Sequence, residues 1–292
     1  MGKIELWKDE YRIGEEKIDA QHEELFHKIE ELLVMASSAD LQANLKQCEK
    51  MLNYLIEYTV FHFDTEEALQ NRKNYIDYGQ HKKIHQDFRN TVVSYHQTIQ
   101  EDFSAATLKR FLGTLLTWLT VHVQGCDRKI MKNEPIVEQV SLTDAEQIIG
   151  NVMKKLLMGM YKIEIREMTT CRYYGEIKGD VIVRTRVSGK QEHMLLYGLP
   201  ERLARALYNK ISGLFINDME QLDELEESAL VEIGEIMSSY IMGLLSDEKI
   251  TDYTFRGDLF LSGYQEDVYN MDNVVVNMDT KYGTIEVLYC RL

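Results

Sequence analysis

The sequence predicts two domains: an all-α up-down four-helix bundle at residues 1–134 and an α+β domain at residues 141–292. Helical periodicity runs almost unbroken up to Pro135, one of only two prolines, and the alternation typical of β-strands dominates after it. A chain of 292 residues is also long enough for two separate hydrophobic cores. We therefore place a linker at residues 135–140.

The first domain contains four segments with helical periodicity. In the first segment, Ile18, Leu25, Ile29, Leu32 and Leu33 recur at a spacing that puts them on one helix face. Short polar breaks such as "SSAD" and "NYIDYGQ" separate the segments, and short connections favour antiparallel neighbours in a bundle. The four segments cover residues 18–36, 45–63, 81–99 and 107–123.

The second domain combines helices and strands. One helix precedes three strands, and two further helices precede three more strands, which predicts helices packed on a mostly antiparallel sheet. The repeated order also suggests an internal duplication. The predicted helices span residues 143–160, 200–213 and 223–245, and the predicted strands span residues 161–169, 179–187, 192–199, 252–263, 273–279 and 283–292.

Composition and charge argue against several classes of function. The chain is 45% hydrophobic and 28% charged, which is typical of a soluble globular protein. We identify no apolar run long enough to cross a bilayer and no secretion signal, so we expect a cytoplasmic protein without membrane association. The net charge of −15 argues against nucleic acid as a partner. The four cysteines form no CxxC pair, and we expect them to be reduced thiols.

Five histidines and two carboxylates of the first domain form a candidate metal site. A pair of residues four apart on a helix points in one direction, and the chain has two such pairs, His62 with Glu66 and His81 with His85. Facing helices of a bundle can bring such side chains to one interior centre. A single histidine is more often an ordinary core residue, but seven donors on four helices are not a coincidence. The candidate ligands are His22, His62, Glu66, His81, His85, His122 and Asp127.

The donor types narrow the choice of metal. Imidazole and carboxylate suit iron, and no thiolate is present to favour zinc or copper(I). Seven ligands exceed the needs of one ion, whereas two ions bridged by both carboxylates use them all. His122 and Asp127 lie five residues apart, about 140° on an ideal helix. We therefore expect a π-bulge or a helix end near Gly125.

Residues 1–133 resemble a bacterial hemerythrin domain through "WKDEYRIGEEKIDAQH", "HFDTEE", "HKKIHQDF" and "WLTVHVQGCD". The resemblance implies one iron bound by three histidines and a second iron bound by two. The two iron ions (Fe2+/Fe3+) would be bridged by Glu66, Asp127 and an oxo or hydroxo group. Dioxygen would bind at the open position of the second iron, which could also accept nitric oxide. The implied sets are His81, His85 and His122 for the first iron, and His22 and His62 for the second.

Two positions depart from the hemerythrin pattern. Ile76 replaces the usual proline, and Gln70 replaces a methionine. Neither change removes a ligand, but Gln70 could alter access to the metal pair or its oxidation rate.

The stretch "ESALVEIGEIMSSYIMG" resembles the long helix of the CheC/CheX family, phosphatases that act on the chemotaxis receiver protein CheY. The resemblance covers residues 141–292. In that family a glutamate grips a receiver lysine, and an asparagine three residues later orients the attacking water. This chain has Glu232, but Glu235 replaces the asparagine, and Ser228 occupies the first position of the motif. A carboxylate near an aspartyl phosphate adds like-charge repulsion, so whether the domain is an enzyme stays open.

A fainter second copy of this motif precedes the first strand. It comprises Asp144, Ile148 and Asn151, where the asparagine is kept and the glutamate is lost. The candidate catalytic residues are thus Glu232, Glu235 and, in the second copy, Asn151. An amphipathic helix with solvated glutamates is the alternative interpretation of the stretch.

These features together predict an oxygen-binding di-iron sensor. Its second domain would bind a CheY-like response-regulator receiver domain and form a homodimer. Two alternatives stay open: an oxygen-gated aspartyl-phosphate phosphatase, and an oxygen storage or scavenging protein whose second domain only fixes the oligomeric state.

Overall fold

The structure is a computed structural model that describes residues 5–37, 45–136, 145–171, 177–245, 253–261 and 272–292. The chain separates into two compact units. The first comprises Met1–Ile136 with Ile211–Leu214 and Asp223–Ser228, and the second comprises Val137–Lys210, Phe215–Leu222 and Ala229–Leu292. Of the predicted linker, Pro135 and Ile136 are described, and residues 137–140 lie outside the described residues.

The first unit is a four-helix bundle, as predicted. Helix α1 packs against α2 and α4, and α3 packs against α2 and α4, so the helices close a ring around one core. Short connections between consecutive helices make ring neighbours antiparallel. The helices are α1 (Glu16–Ala36), α2 (Leu45–Lys73), α3 (Tyr78–Glu101), α4 (Ala105–His122) and the short α5 (Arg128–Lys132).

The segment before α1 is fixed by a buried carboxylate. Asp19, in the first turn of α1, accepts hydrogen bonds from the backbone N–H groups of Ile13 at 2.7 Å and Gly14 at 3.2 Å. The buried ring of Tyr11 stacks on Phe26 of the same helix, with ring centroids 5.2 Å apart. These contacts set the position of the first turns of α1.

The predicted helix irregularity is present. Val123–Asp127 forms a π-helical turn between α4 and α5. A π turn is wider than an α turn, so residues five apart can face one direction. Asp127 Oδ1 lies 3.0 Å from His122 Nε2 as a result.

The second unit is an α+β fold with a six-stranded antiparallel sheet. The strand order is β1-β5-β6-β3-β2-β4. The elements that follow the bundle in the chain are α6 (Ala145–Tyr161), β1 (Ile165–Cys171), β2 (Val181–Ser188), β3 (His193–Leu199), α7 (Glu201–Ser212), α8 (Glu224–Leu245), β4 (Thr254–Leu261), β5 (Asp272–Thr280) and β6 (Gly283–Arg291).

The sheet order has an internal two-fold pattern. Exchanging β1 with β4, β2 with β5 and β3 with β6 reverses the order and leaves every neighbour relation intact. The central pair is β3 with β6, so a pseudo-two-fold axis passes between these strands. This pattern agrees with the predicted duplication of helix and strands.

The helices α6 and α8 lie over matching halves of one sheet face, each through a glycine. A Cβ atom at Gly234 of α8 would overlap Val183 of β2, and one at Gly150 of α6 would overlap Met168 of β1. The strand register places Met168 and Val183 on the same face of the sheet. The glycines let both helices approach the sheet closely.

Helix α8 shows that one expectation from the sequence, that no apolar segment is long enough to cross a bilayer, is wrong. Among the described residues it is the one helix with the length and apolar composition to cross a bilayer. It is apolar because it packs on the sheet, with Ile233, Met237, Ile241 and Met242 buried. Its length and apolar composition are therefore those of the core helix of an α+β unit.

We predict that Gly234→Ala destabilises the second unit by about 1–2 kcal/mol, because the added methyl group forces Val183 or α8 to shift. Gly159→Ala on α6 is the matched control, since its Cβ meets no atom within 4 Å. It should stabilise by about 0.5–1 kcal/mol through helix propensity. Thermal unfolding of the two full-length variants measures the difference. Equal transition temperatures would contradict the close packing of α8.

Candidate metal centre

The structure brings all seven predicted ligands together inside the bundle. Every one of them is at most 3% exposed. Their donor atoms form two groups, and within each group all donors lie within 4.8 Å of one another. The two groups share Glu66 and Asp127. The first group adds His81, His85 and His122, and the second adds His22 and His62.

Glu66 presents one carboxylate oxygen to each group. Its Oε1 atom lies 3.2 Å from His81 Nε2 and 3.6 Å from His85 Nε2. Its Oε2 atom lies 3.7 Å from His62 Nε2. The side chain therefore stands between three histidines on one side and two on the other.

Asp127 repeats this arrangement from the π-helical turn. Its Oδ1 atom lies 3.2 Å from His81 Nε2 and 3.0 Å from His122 Nε2. Its Oδ2 atom lies 3.2 Å from His22 Nε2. Both carboxylates are thus placed to bridge two ions, one in each group.

The unsatisfied donor atoms fit a metal pair. Within the described part of the chain, His22 Nε2, His62 Nε2, Glu66 Oε2 and both oxygens of Asp127 are buried without a hydrogen-bond partner. Buried polar atoms normally have partners, so this concentration requires another explanation. Cations coordinated by these atoms would satisfy all of them.

The spacing of the three-histidine group supports the same conclusion. His122 Nε2 lies 2.9 Å from His81 Nε2 and 3.0 Å from His85 Nε2. A single proton cannot satisfy both contacts at one nitrogen. Adjacent ligands held at about 2.1 Å from one ion at right angles would be separated by about 3 Å. The imidazoles are therefore spaced as neighbouring ligands of one metal ion.

Burial keeps the imidazoles in the form that binds metal. Desolvation lowers the pKa of His62 and His85 well below the usual value, and the neighbouring histidines lower it further. Burial also lowers the pKa of His122, although Asp127 opposes the shift. A neutral imidazole offers a free lone pair, so these rings are ready to bind a cation at neutral pH.

The two carboxylates behave differently in the protein alone. Burial and the charge of Asp127 raise the pKa of Glu66 well above its usual value. Burial also acts to raise the pKa of Asp127, but the contacts with His122, His22 and His81 hold it well below its usual value. Two anions this close cannot both stay ionised without positive charge nearby. Bound cations would supply that charge and let both carboxylates ionise.

Two polar side chains that the sequence did not single out as functional hold the ligands in place. Glu67 Oε1 accepts from His85 Nδ1 at 3.2 Å, and Arg89 and Lys82 neutralise the same carboxylate at 3.3 and 3.4 Å. Gln21 Oε1 accepts from His62 Nδ1 at 3.2 Å. Each contact puts the proton on Nδ1 and leaves Nε2 free for the metal. Glu67 is the second glutamate of "HFDTEE" and directly follows the candidate ligand Glu66, and this position was the sequence feature that could have indicated its role.

Aromatic rings line the three-histidine side of the centre. The ring of Phe63 stacks on His85 with centroids 4.0 Å apart, and Trp118 stacks on His122 at 4.2 Å. Phe63 is fully buried, and Trp118 is 9% exposed. These rings form an apolar wall on this side of the centre and restrict the rotation of the two imidazoles.

In the second unit, the structure places Glu232 and Glu235 on adjacent turns of α8. Glu235 Oε1 accepts a hydrogen bond from the backbone N–H of Gly257 on the edge strand β4. Burial and the charge of Asp258 raise the pKa of Glu235 to about 7, against the effect of the Gly257 bond. Burial and the charge of Glu235 raise the pKa of Glu232 well above its usual value.

The second copy of the motif is only partly described. Asn151 is exposed on α6, a different helix from the one that carries the glutamates, and Asp144 lies outside the described residues. Asn151 follows Gly150 as Glu235 follows Gly234, so the two residues occupy equivalent places in the pseudo-two-fold pattern. The structure does not bring Asn151 into one site with Glu235.

Comparison with known proteins identifies the bundle. The family model "Hemerythrin HHE cation binding domain" matches residues 14–132. Bacteriohemerythrin of Stenotrophomonas maltophilia is 30% identical over 126 residues, covering 42% of this chain and 76% of that protein. Myohemerythrin of Theromyzon tessulatum is 28% identical over 123 residues, covering 42% of this chain and 88% of that protein. The resemblance of the first domain is confirmed.

Solved structures similar to about half of the chain are chemotaxis proteins. CheX of Desulfovibrio desulfuricans is 17% identical, with a TM-score of 0.41 and coverage of 51% of this chain and all of that one. A CheC-like protein of a Shewanella species is 17% identical, with a TM-score of 0.43 and coverage of 52% and 99%. CheX in a CheX–CheY complex from Borrelia burgdorferi is 18% identical, with a TM-score of 0.41 and coverage of 51% and 97%. Identities of 17% to 18% and TM-scores of 0.41 to 0.43 do not show that this chain shares the function of these proteins.

We predict that Glu67→Gln weakens metal binding about 10- to 100-fold, because it removes the anion that orients His85. Asp64→Asn is the matched control. Asp64 is exposed and bonds the same Arg89 at 2.7 Å, but it contacts no candidate ligand. Competitive titration of metal-free protein with Co²⁺ measures both affinities. Equal weakening in the two variants would show that Arg89, rather than the carboxylate on His85, is responsible.

Proposed function

The chain belongs to the hemerythrin family, and from this premise we propose that it is a non-heme di-iron protein that binds dioxygen reversibly and senses it. The observation that carries the proposal is the division of the donors into two groups that share Glu66 and Asp127. Five imidazoles and two carboxylates without thiolate suit iron. His81, His85 and His122 would hold one iron, and His22 and His62 the other.

The unequal groups explain where a ligand would bind. The first group offers five protein donors and the second offers four, so an ion held by the second group would have more room for an external ligand. A bound iron pair would supply the reversible binding of dioxygen. The residues of the chain hold Nε2 of each imidazole toward the centre, bridge the two groups, and exclude bulk water by their burial. Nitric oxide fits the same position and is the second candidate ligand.

We predict that anaerobically purified protein contains two ferrous ions per chain, one for each donor group. Air should produce a visible charge-transfer absorption that disappears when dioxygen is removed. Asp127→Asn should lose the second ion and the absorption, because it weakens a bridging donor. Asp87→Asn, an exposed aspartate of α3, is the matched control. One ion per chain in the wild type would contradict the proposal. Rapid, irreversible oxidation would instead support the scavenging function.

For the second unit, we propose binding of a CheY-like receiver domain without hydrolysis. The motif on α8 keeps Glu232, the residue that resembles the receiver-gripping glutamate. Glu235 stands at the position where the family's asparagine would orient water, and one of its carboxylate oxygens, Oε1, is engaged by the Gly257 N–H group. This contact favours a binding module over the alternative of an oxygen-gated phosphatase. Dioxygen would change the affinity for the receiver or for a second copy of the chain in a homodimer.

We predict that the ferrous full-length protein binds a CheY-type receiver domain of its source organism with an affinity that changes on oxygenation. Glu232→Gln should weaken binding at least tenfold, and Glu227→Gln, an exposed position of the same helix, should not. Isothermal titration in both oxygen states measures this, and phosphate release from the phosphorylated receiver is followed in parallel. Identical isotherms would contradict the relay, and phosphate release dependent on Glu232 would favour the phosphatase.

A further inference from the structure

Gln70 occupies a position where the sequence departs from the hemerythrin pattern, and it contacts a bridging carboxylate. The side chain is fully buried. Its Nε2 atom donates a hydrogen bond to Glu66 Oε1 at 2.7 Å. That oxygen is the one that faces His81 and His85, while Glu66 Oε2 faces His62. The contact is therefore directed at one of the two donor groups.

The backbone around Gln70 is held by the end of α2. Asn74 adopts a left-handed conformation with φ of 50°, the Tyr75 N–H bonds to Gln70 O at 3.0 Å, and the Asn74 N–H bonds to Asn71 O at 3.1 Å. These two bonds form a Schellman motif that ends the helix. The main chain of Gln70 is thus fixed one turn beyond Glu66, and the side chain reaches back along the helix.

The orientation of the amide follows from its partner. With cations bound, Glu66 would be an ionised carboxylate that only accepts hydrogen bonds, and the NH2 half of Gln70 is the half that faces it. The other half, Oε1, is buried and has no partner among the residues that the structure describes. A methionine would fill the same space without this unmet acceptor. The hydrogen bond from the amide to Glu66 offsets the free-energy cost of burying Gln70 Oε1 without a partner.

We propose that Gln70 is a positioning residue that holds Glu66 in its bridging orientation and stabilises the ferrous state of the iron pair. An N–H donor draws electron density from Oε1, so the carboxylate donates less to the iron of the three-histidine group. Ferric iron depends on that donation more than ferrous iron does, and hydrogen bonds to metal ligands shift reduction potentials in this way. The inference rests on the proposed iron centre and concerns the rate at which air oxidises it.

The test is the oxidation of ferrous full-length protein in air. In this reaction dioxygen takes two electrons from the ferrous pair and two protons from water, and gives hydrogen peroxide and a ferric pair. Gln70→Met should oxidise about tenfold faster than wild type and have a lower midpoint potential. Tenfold corresponds to about 1.4 kcal/mol, close to the lower end of the range for a hydrogen bond to a charged group. Gln70→Asn, whose shorter amide cannot reach Glu66, should behave like Gln70→Met.

The controls separate this inference from the proposed function. Gln97→Met makes the same substitution at an exposed site of α3 and should match wild type. A wild type that fails to load two irons would refute the iron centre itself. Two loaded variants with the wild-type oxidation rate and potential would refute only the role of Gln70. Failure of both variants to fold would also refute it, since the amide would then support the bundle rather than the orientation of Glu66.

Discussion

Two buried carboxylates at the centre of the bundle, Glu66 and Asp127, impose the constraint on which the rest of the first unit depends. Moving an ionised carboxylate into a protein interior costs several kcal/mol unless opposite charge accompanies it. Several nitrogen and oxygen atoms converge on the same space, and among the described residues His22 Nε2, His62 Nε2, Glu66 Oε2 and both Asp127 oxygens have no hydrogen-bond partner. Bound metal cations would resolve both difficulties, because they would supply positive charge and coordinate the unpartnered atoms.

The same constraint links the centre to the fold. The donors come from α1, α2, α3 and the α4–π turn, so two bound ions would connect all four sides of the bundle. Binding energy at such a site contributes to folding, because the ligands are brought together only in the folded chain. Glu67 and Gln21 then fix the rings of His85 and His62, and Phe63 and Trp118 restrict them from the sides. The geometry is held by contacts that do not themselves coordinate metal.

The candidate ligands of the bundle could be predicted from the sequence, because the spacing of residues on a helix determines which side of the helix each side chain faces. The pair His81 and His85 could be assigned to one face. The five-residue spacing of His122 and Asp127 predicted either a π-bulge or a helix end, and the structure contains the π turn. Contacts between segments that are distant in the sequence could not be predicted from residue spacing. The Glu235–Gly257 bond joins α8 to β4 across 22 residues, and its existence depends on the sheet order. The Gln70–Glu66 bond depends on side-chain rotamers, which spacing does not determine.

The second unit has an internal two-fold pattern whose two halves differ in their polar residues. Its sheet order is symmetrical, and glycines at equivalent places let α6 and α8 lie close to the same face. The residues after those glycines differ: Asn151 is exposed, and Glu235 is bonded to an edge strand. The half that contains α8 therefore uses its polar residue, Glu235, in a contact within the fold. In the half that contains α6, the equivalent residue, Asn151, is exposed to solvent.

The most direct test of the central claim is anomalous diffraction from crystals of iron-loaded protein, with data collected on both sides of the iron absorption edge. The account predicts two separate iron peaks inside the bundle, both in contact with Glu66 and Asp127, one beside three histidines and the other beside two. A single peak, or peaks that neither carboxylate joins, would contradict it.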